Sequence, residues 1–228
     1  MRKILLTASL TLLAAGAGFA QHNTRNSVDW DGRYVGTMPC ASCPGIETTL
    51  TINEAGFYTL AETYLEEDDG DFLSEGTFEW DADGSTIQLE GDDEQRAFLI
   101  GEGMAWMVGS DGTPDDAHPL VKLTEYNGAG AQLYVDPDSV EQDGGKVSFD
   151  GLINFEHEAE GGHRSLSATF QIDCAKGEVM MPRVSYFAGT DAQGEPLHEA
   201  QENDESWAPI PSDSDDVIAQ AKAAYCAG

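Results

Sequence analysis

Residues 38–52 read M-P-C-A-S-C-P-G-I-E-T-T-L-T-I. The right-hand half decides the fold. From Ile46 to Asn53 apolar and polar residues alternate, and threonine and isoleucine dominate, which is the pattern of a half-buried strand. Pro44 and Gly45 separate that strand from Cys43, so no helix follows the cysteine pair. A thiol oxidoreductase sets its reactive thiolate at a helix N-terminus. The strand therefore disfavours a thioredoxin-type centre.

Working outward, further strand patterns follow at short intervals: Gly32–Thr37, Phe57–Leu65, Phe72–Trp80, Ser85–Leu89, Ala97–Ile100, Met104–Val108 and Pro119–Thr124. Turn residues such as Glu54-Ala55-Gly56 and Asp81-Ala82-Asp83-Gly84 divide them. Strands so spaced, with no helical stretch between, predict an antiparallel meander closed into a small barrel or sandwich. Asn127-Gly128-Ala129-Gly130 is small and flexible, and is expected to be the boundary between two domains. A second β series runs through Gln132–Asp136, Lys146–Phe155, Ser165–Cys174 and Glu178–Phe187. From Ser212 the chain turns helical, with a serine cap, aspartates in the first turn and alanines after it. The fold class is mostly β: a small barrel over residues 28–126, then an α+β domain over residues 131–228.

The N-terminus carries Arg2 and Lys3, an apolar run from Ile4 to Ala15, and the small residue Ala20. It reads as a secretory signal peptide over residues 1–20, with the mature chain starting near Gln21 in the periplasm or outside the cell. No cysteine lies near the cleavage region, so no lipid anchor is expected, and no other run is long enough to span a membrane. Without the signal, nine basic residues face 42 acidic ones, a net charge of −33. Such charge repels phosphates and excludes nucleic acid and anionic lipid as partners. The acids are spread along the chain, as on a solvated surface adapted to high salt.

The four cysteines are Cys40, Cys43, Cys174 and Cys226. Export favours disulfides, and the simplest partition pairs Cys40 with Cys43 and Cys174 with Cys226. The second bond would tie the terminal helix to the sheet. Two readings of the first stay open. One is a local disulfide that stiffens a loop. The other is copper or redox sensing, since Met38, Cys40 and Cys43 are soft sulfur donors suited to Cu(I). A zinc site lacks its further ligands. Met104 and Met107 read as packing residues. No hydrolase, P-loop or dinucleotide motif occurs, and the chain is not expected to be an enzyme.

The stretch W-D-G-R-Y-V-G-T-M-P-C-A-S-C-P-G-I-E-T-T-L-T-I (residues 30–52), with the later G-x-F-x-W (Gly76–Trp80), resembles the N-terminal domain of the NlpE family of copper-resistance and envelope-stress lipoproteins. The resemblance implies a lipocalin-shaped barrel with the C-x-x-C at one end, and a partner that is an envelope sensor. Y-V-D-P-D-S-V (Tyr134–Val140), I-D-C (Ile172–Cys174) and W-A-P-I-P-S (Trp207–Ser212) are similar to the surface-adhesin protein E family. That likeness implies a curved sheet, a disulfide-tethered helix and adhesive binding in some members. A lipocalin-like carrier of a small apolar ligand is the alternative expectation for the barrel.

Overall fold

The computed structural model describes residues 23–91, 95–201 and 206–227. The expected signal peptide, residues 1–20, and the expected start at Gln21 lie outside these. Among the described residues no helix is long and apolar enough to cross a membrane.

The barrel forms from eight antiparallel strands in chain order: β1 (Gly32–Met38), β2 (Ile46–Ile52), β3 (Phe57–Tyr64), β4 (Asp71–Trp80), β5 (Thr86–Glu90), β6 (Ala97–Ile100), β7 (Met104–Val108) and β8 (Leu120–Lys122). It closes where β8 pairs with β1, Tyr34 opposite Lys122. The sequence alternation fixes which side chains enter. Leu50 and Ile52 on β2, Tyr58 and Leu60 on β3, and Phe98 and Ile100 on β6 all point inward and are buried. They form one cluster with Tyr34, Phe78, Ile87, Leu89, Ala105 and Leu120. An eight-stranded barrel has an interior just wide enough for side chains to fill. Here they fill it, which disfavours the carrier expectation. Tyr34 donates its hydroxyl to the Trp30 carbonyl at 2.6 Å, so its one polar atom is satisfied inside the core. Burial, with the carboxylates of Asp29 and Asp31 adding to it, holds its phenol above the usual range.

The two barrel ends differ. At one, Trp30 meets Trp80 and Phe78 edge-on, at 5.2 and 5.9 Å between ring centroids, and plugs the opening. The short helix α1 (Thr24–Ser27) leads into this plug, with Trp30 Nε1 donating to Arg25 O. At the other end lie the loop carrying Cys40 and Cys43 and the tip joining β3 to β4.

The second domain is an antiparallel sheet. Its members are β9 (Thr124–Gly128), β10 (Ala131–Val135), β11 (Glu141–Asp143), β12 (Lys146–Phe155), β13 (Ser165–Asp173), β14 (Glu178–Phe187), β15 (His198–Gln201) and β16 (Ala208–Pro209), with helix α2 (Val217–Tyr225) packed on one face. Phe149 stacks on Phe170 at 5.3 Å beneath the helix, and Tyr225 covers Phe149. Val217 and Ala221 are the buried helix positions, and Ala224 is exposed.

Two expectations need correction. Residues 127–130 are not a linker: they close the β9–β10 hairpin inside the second sheet. The passage between domains falls at Leu123, between β8 and β9, so the run Pro119–Thr124 is split between two sheets rather than forming one strand. Gly128 is needed for packing there, since a Cβ would stand 2.2 Å from the Asp215 carbonyl oxygen. The helix cap is Asp216, not Ser212. Its carboxylate accepts from the N–H groups of Ile218 and Ala219 at 3.0 and 2.9 Å. Replacement of Asp216 by alanine is expected to cost the second domain about 1 kcal/mol, measured by urea unfolding.

Candidate functional site: the cysteine loop on the barrel rim

β1 ends at Met38 and β2 begins at Ile46, and these two residues face each other across the hairpin. The seven residues between them hold Cys40 and Cys43, joined by a disulfide with Cα atoms 5.3 Å apart. Cys43 N–H lies 3.0 Å from Cys40 Sγ, and Cys43 Sγ lies 3.3 Å from the Gly45 carbonyl oxygen. Pro39, Ala41, Ser42 and Pro44 are exposed, and both cysteines are half-buried. The loop runs straight into β2. No helix dipole reaches either sulfur, in keeping with the strand pattern after Gly45.

Gly45 anchors the loop. Its carbonyl accepts from Leu65 N–H at 3.0 Å, tying the cysteine loop to the β3–β4 tip. A Cβ at Gly45 would come within 2.6 Å of Thr37 Cγ2, so only glycine allows this close approach. Across the rim, Tyr64 packs edge-on to Phe72 at 5.3 Å, and Arg96 pairs with Glu62 just inside the mouth.

Met38 does not sit with the cysteines as a free donor. It is 3% exposed and packs into the barrel core. A disulfide also has no thiolate to give, and a thiolate is the form of cysteine that ligates metal. As found, therefore, Met38, Cys40 and Cys43 do not fit Cu(I). Only the reduced pair offers two sulfur donors there. Met107 packs against the same core, and Met104 lies on the barrel wall where β7 meets Val121, nearer the plugged end. Among the described residues, no group of three or more histidine, cysteine, aspartate and glutamate side chains is placed to hold a metal ion.

Cys174 and Cys226 form the second disulfide, with Cα atoms 5.6 Å apart, at the C-terminal ends of β13 and α2. The neighbouring Asp173 carboxylate is held below the usual carboxylate range, chiefly because Lys176 N–H donates to it at 3.0 Å. Because its pKa falls on folding, Asp173 stabilises the fold above the unfolded value of about 3.9, and that support is lost as pH falls through the lower folded value. Asp173→Asn is expected to weaken the second domain at pH 6. The gap from the parent should narrow in acid-unfolding curves as pH falls from the unfolded value of about 3.9 through the lower folded one.

Residues 34–118 match the NlpE N-terminal domain family, and residues 120–227 match surface-adhesin protein E. The chain joins an NlpE N-terminal domain to a surface-adhesin protein E domain. Among solved structures, a protein of Shewanella oneidensis named as a lipoprotein is 36% identical, with 44% of this chain and 95% of that one covered and a TM-score of 0.40. The Cpx pathway activator NlpE from Escherichia coli is 19% identical, with 62% and 85% covered and a TM-score of 0.33. No curated protein matches the chain.

Sequence reasoning singled out the cysteines of the NlpE domain but missed the other feature of its rim. Phe72 and Leu73, at the start of β4, are 57% and 61% exposed. An apolar pair directly after the acidic stretch Glu66–Asp71 was the available signal, and it was absorbed into the strand pattern.

Proposed function

We propose that this protein is an exported, non-enzymatic envelope protein that senses redox stress through Cys40 and Cys43. The observation that supports the reading best is the place of the disulfide. It closes the turn of the β1–β2 hairpin at the barrel rim, is partly open to solvent, and is linked through Gly45 to the β3–β4 tip. Reduction by a dithiol donor delivers two electrons and two protons, breaks the S–S bond and leaves two thiols. The loop then loses its clamp, and the rim gains two soft donors that Cu(I) favours. An envelope sensor protein is the partner class that this reading implies, with the adhesin-type domain as a second protein-binding module.

Two measurements test it. In graded glutathione buffers, alkylation followed by mass spectrometry should show Cys40–Cys43 opening before Cys174–Cys226. The latter closes a 52-residue separation against a packed helix, whereas the former closes three residues on an open loop. Simultaneous opening, or earlier opening of the helix tether, sinks the sensing idea. Titration of the reduced protein with Cu(I) against a competing chelator then separates copper from redox. Unchanged affinity in Cys40→Ser with Cys43→Ser removes copper and leaves the redox reading standing.

A further inference from the structure

Where the two domains meet, a groove of about 1010 Å³ runs between the outer wall of the barrel and the segment between β14 and β15. The floor is the outward-facing row Thr49, Ala61 and Leu73, which lie side by side on β2, β3 and β4. The facing wall is residues 189–196. Four observations bear on what the groove takes.

Its floor carries one uncovered apolar side chain, Leu73 at 61% exposed, and Leu197 just beyond the wall is 54% exposed; Phe72, 57% exposed, lies at the mouth on the other face of β4, opposite Glu62. Single exposed apolar residues are ordinary, but grouped ones mark interaction sites. Its charge is one-sided. Asp191 is matched by Arg33 and Glu62 by Arg96. Glu47, Asp71 and Glu195 add three more carboxylates, and Arg33 is the one cation of the described lining.

Among the described residues, β4 is paired along only half its length on one side. β4 pairs with β3 from Asp71 to Thr77, but with β5 only from Thr77 onward. Among the described residues, its first half thus has a strand neighbour on one side alone. Such edges template the addition of an extended segment.

The wall is held in shape. Asp191 and Ala192 have φ of 65° and 52°, the left-handed region that costs a non-glycine residue free energy. Buried Asn154 keeps them there, donating to Asp191 Oδ1 at 2.7 Å and accepting from Asp191 N–H at 2.8 Å. Buried Ser165 donates to the Gly189 carbonyl and accepts from Ala192 N–H. A wall ordered in advance loses little entropy when something binds against it.

We infer that this groove docks an extended, cationic segment of a partner protein, with apolar side chains set on Leu73 and basic ones facing Glu47, Asp71 and Glu195. The charge selects the occupant. A second copy of this acidic chain, or an anionic membrane surface, would bring like charge to the carboxylates. The inference does not depend on the redox state of Cys40 and Cys43.

The probe is a fluorescein-labelled peptide of ten residues with alternating lysine and valine, read by fluorescence anisotropy with the full chain. The control peptide carries glutamate in place of lysine. Leu73→Asp is expected to weaken the lysine peptide by about tenfold or more, and Glu47→Lys with Glu195→Lys by a similar factor. Both changes are on the surface, and circular dichroism confirms the fold of each variant. Asp213→Lys with Asp215→Lys, beside α2, changes the same number of charges away from the groove and should shift affinity less than about twofold. The inference is overturned if Leu73→Asp binds as the parent does. It is equally overturned if the remote pair weakens binding as much as the groove pair, which would mean bulk charge alone, or if the glutamate peptide binds as well.

Discussion

Removing the tether of the terminal helix, as Cys174→Ser with Cys226→Ser, should lower the stability of the adhesin-type domain by about 4 kcal/mol. The bond spans 52 residues, and loop-closure entropy for that length is of this size. The helix has little else of comparable strength. Its nine residues are too few to be stable alone, and only Val217 and Ala221 are buried. Released, it uncovers the stacked pair Phe149 and Phe170. Urea unfolding followed at Trp207, which lies 4.7 Å under the Lys146 ammonium in this domain, should show the loss. The barrel transition, followed at Trp30 and Trp80, should stay where it is. A loss below about 1 kcal/mol would mean that the unfolded chain is already held compact without the bond.

The second large effect belongs to the barrel. Phe98→Ala is expected to cost about 3–5 kcal/mol. The side chain is 1% exposed, and its strand neighbours across the sheet are Ile87 and Met107. The barrel cannot collapse easily around the missing ring, because β6 is fixed by pairing with β5 on one side and β7 on the other. The cavity would therefore persist, and the cost should lie toward the upper end of that range. Chemical denaturation of the variant checks the size. Binding of small apolar probes such as benzene to the variant alone would show that the space stays open.

The barrel was legible because alternation is strong where one face is buried and the other wet. Ile46–Ile52 pairs without a break with Tyr58–Tyr64, and the pattern alone placed both strands. The tethered helix was legible from its alanines and from Cys226. Its start was not, because Ser212, Asp213 and Asp216 are all good caps and only tertiary packing chooses among them. The domain boundary was misplaced for a related reason. A small, glycine-rich tetrapeptide is as suited to a hairpin turn as to a linker. Leu123, the true junction, is an apolar residue in an apolar run with no local mark. β15 (His198–Gln201) was missed altogether, since its residues lack strand propensity and it forms by pairing at the edge of β14. At the rim, the cysteines announce themselves in any reading of the chain. The strained wall at Asp191 and Ala192 does not, because the side chains that hold it, Asn154 and Ser165, come from strands 37 and 27 residues away from their partners.

The junction at Leu123 has a mechanical consequence. β8 ends at Lys122 and β9 begins at Thr124, so one residue, itself buried and with its N–H bonded to the Arg33 carbonyl, connects the modules. Beads on a flexible string explore a range of spacings, and a partner that grips both must cover the entropy of choosing one. Here there is no string. Any grip the barrel offers and any grip the sheet offers are presented at a set span, like the jaws of a caliper. A partner of matching span meets both at once, and one of the wrong span meets only one.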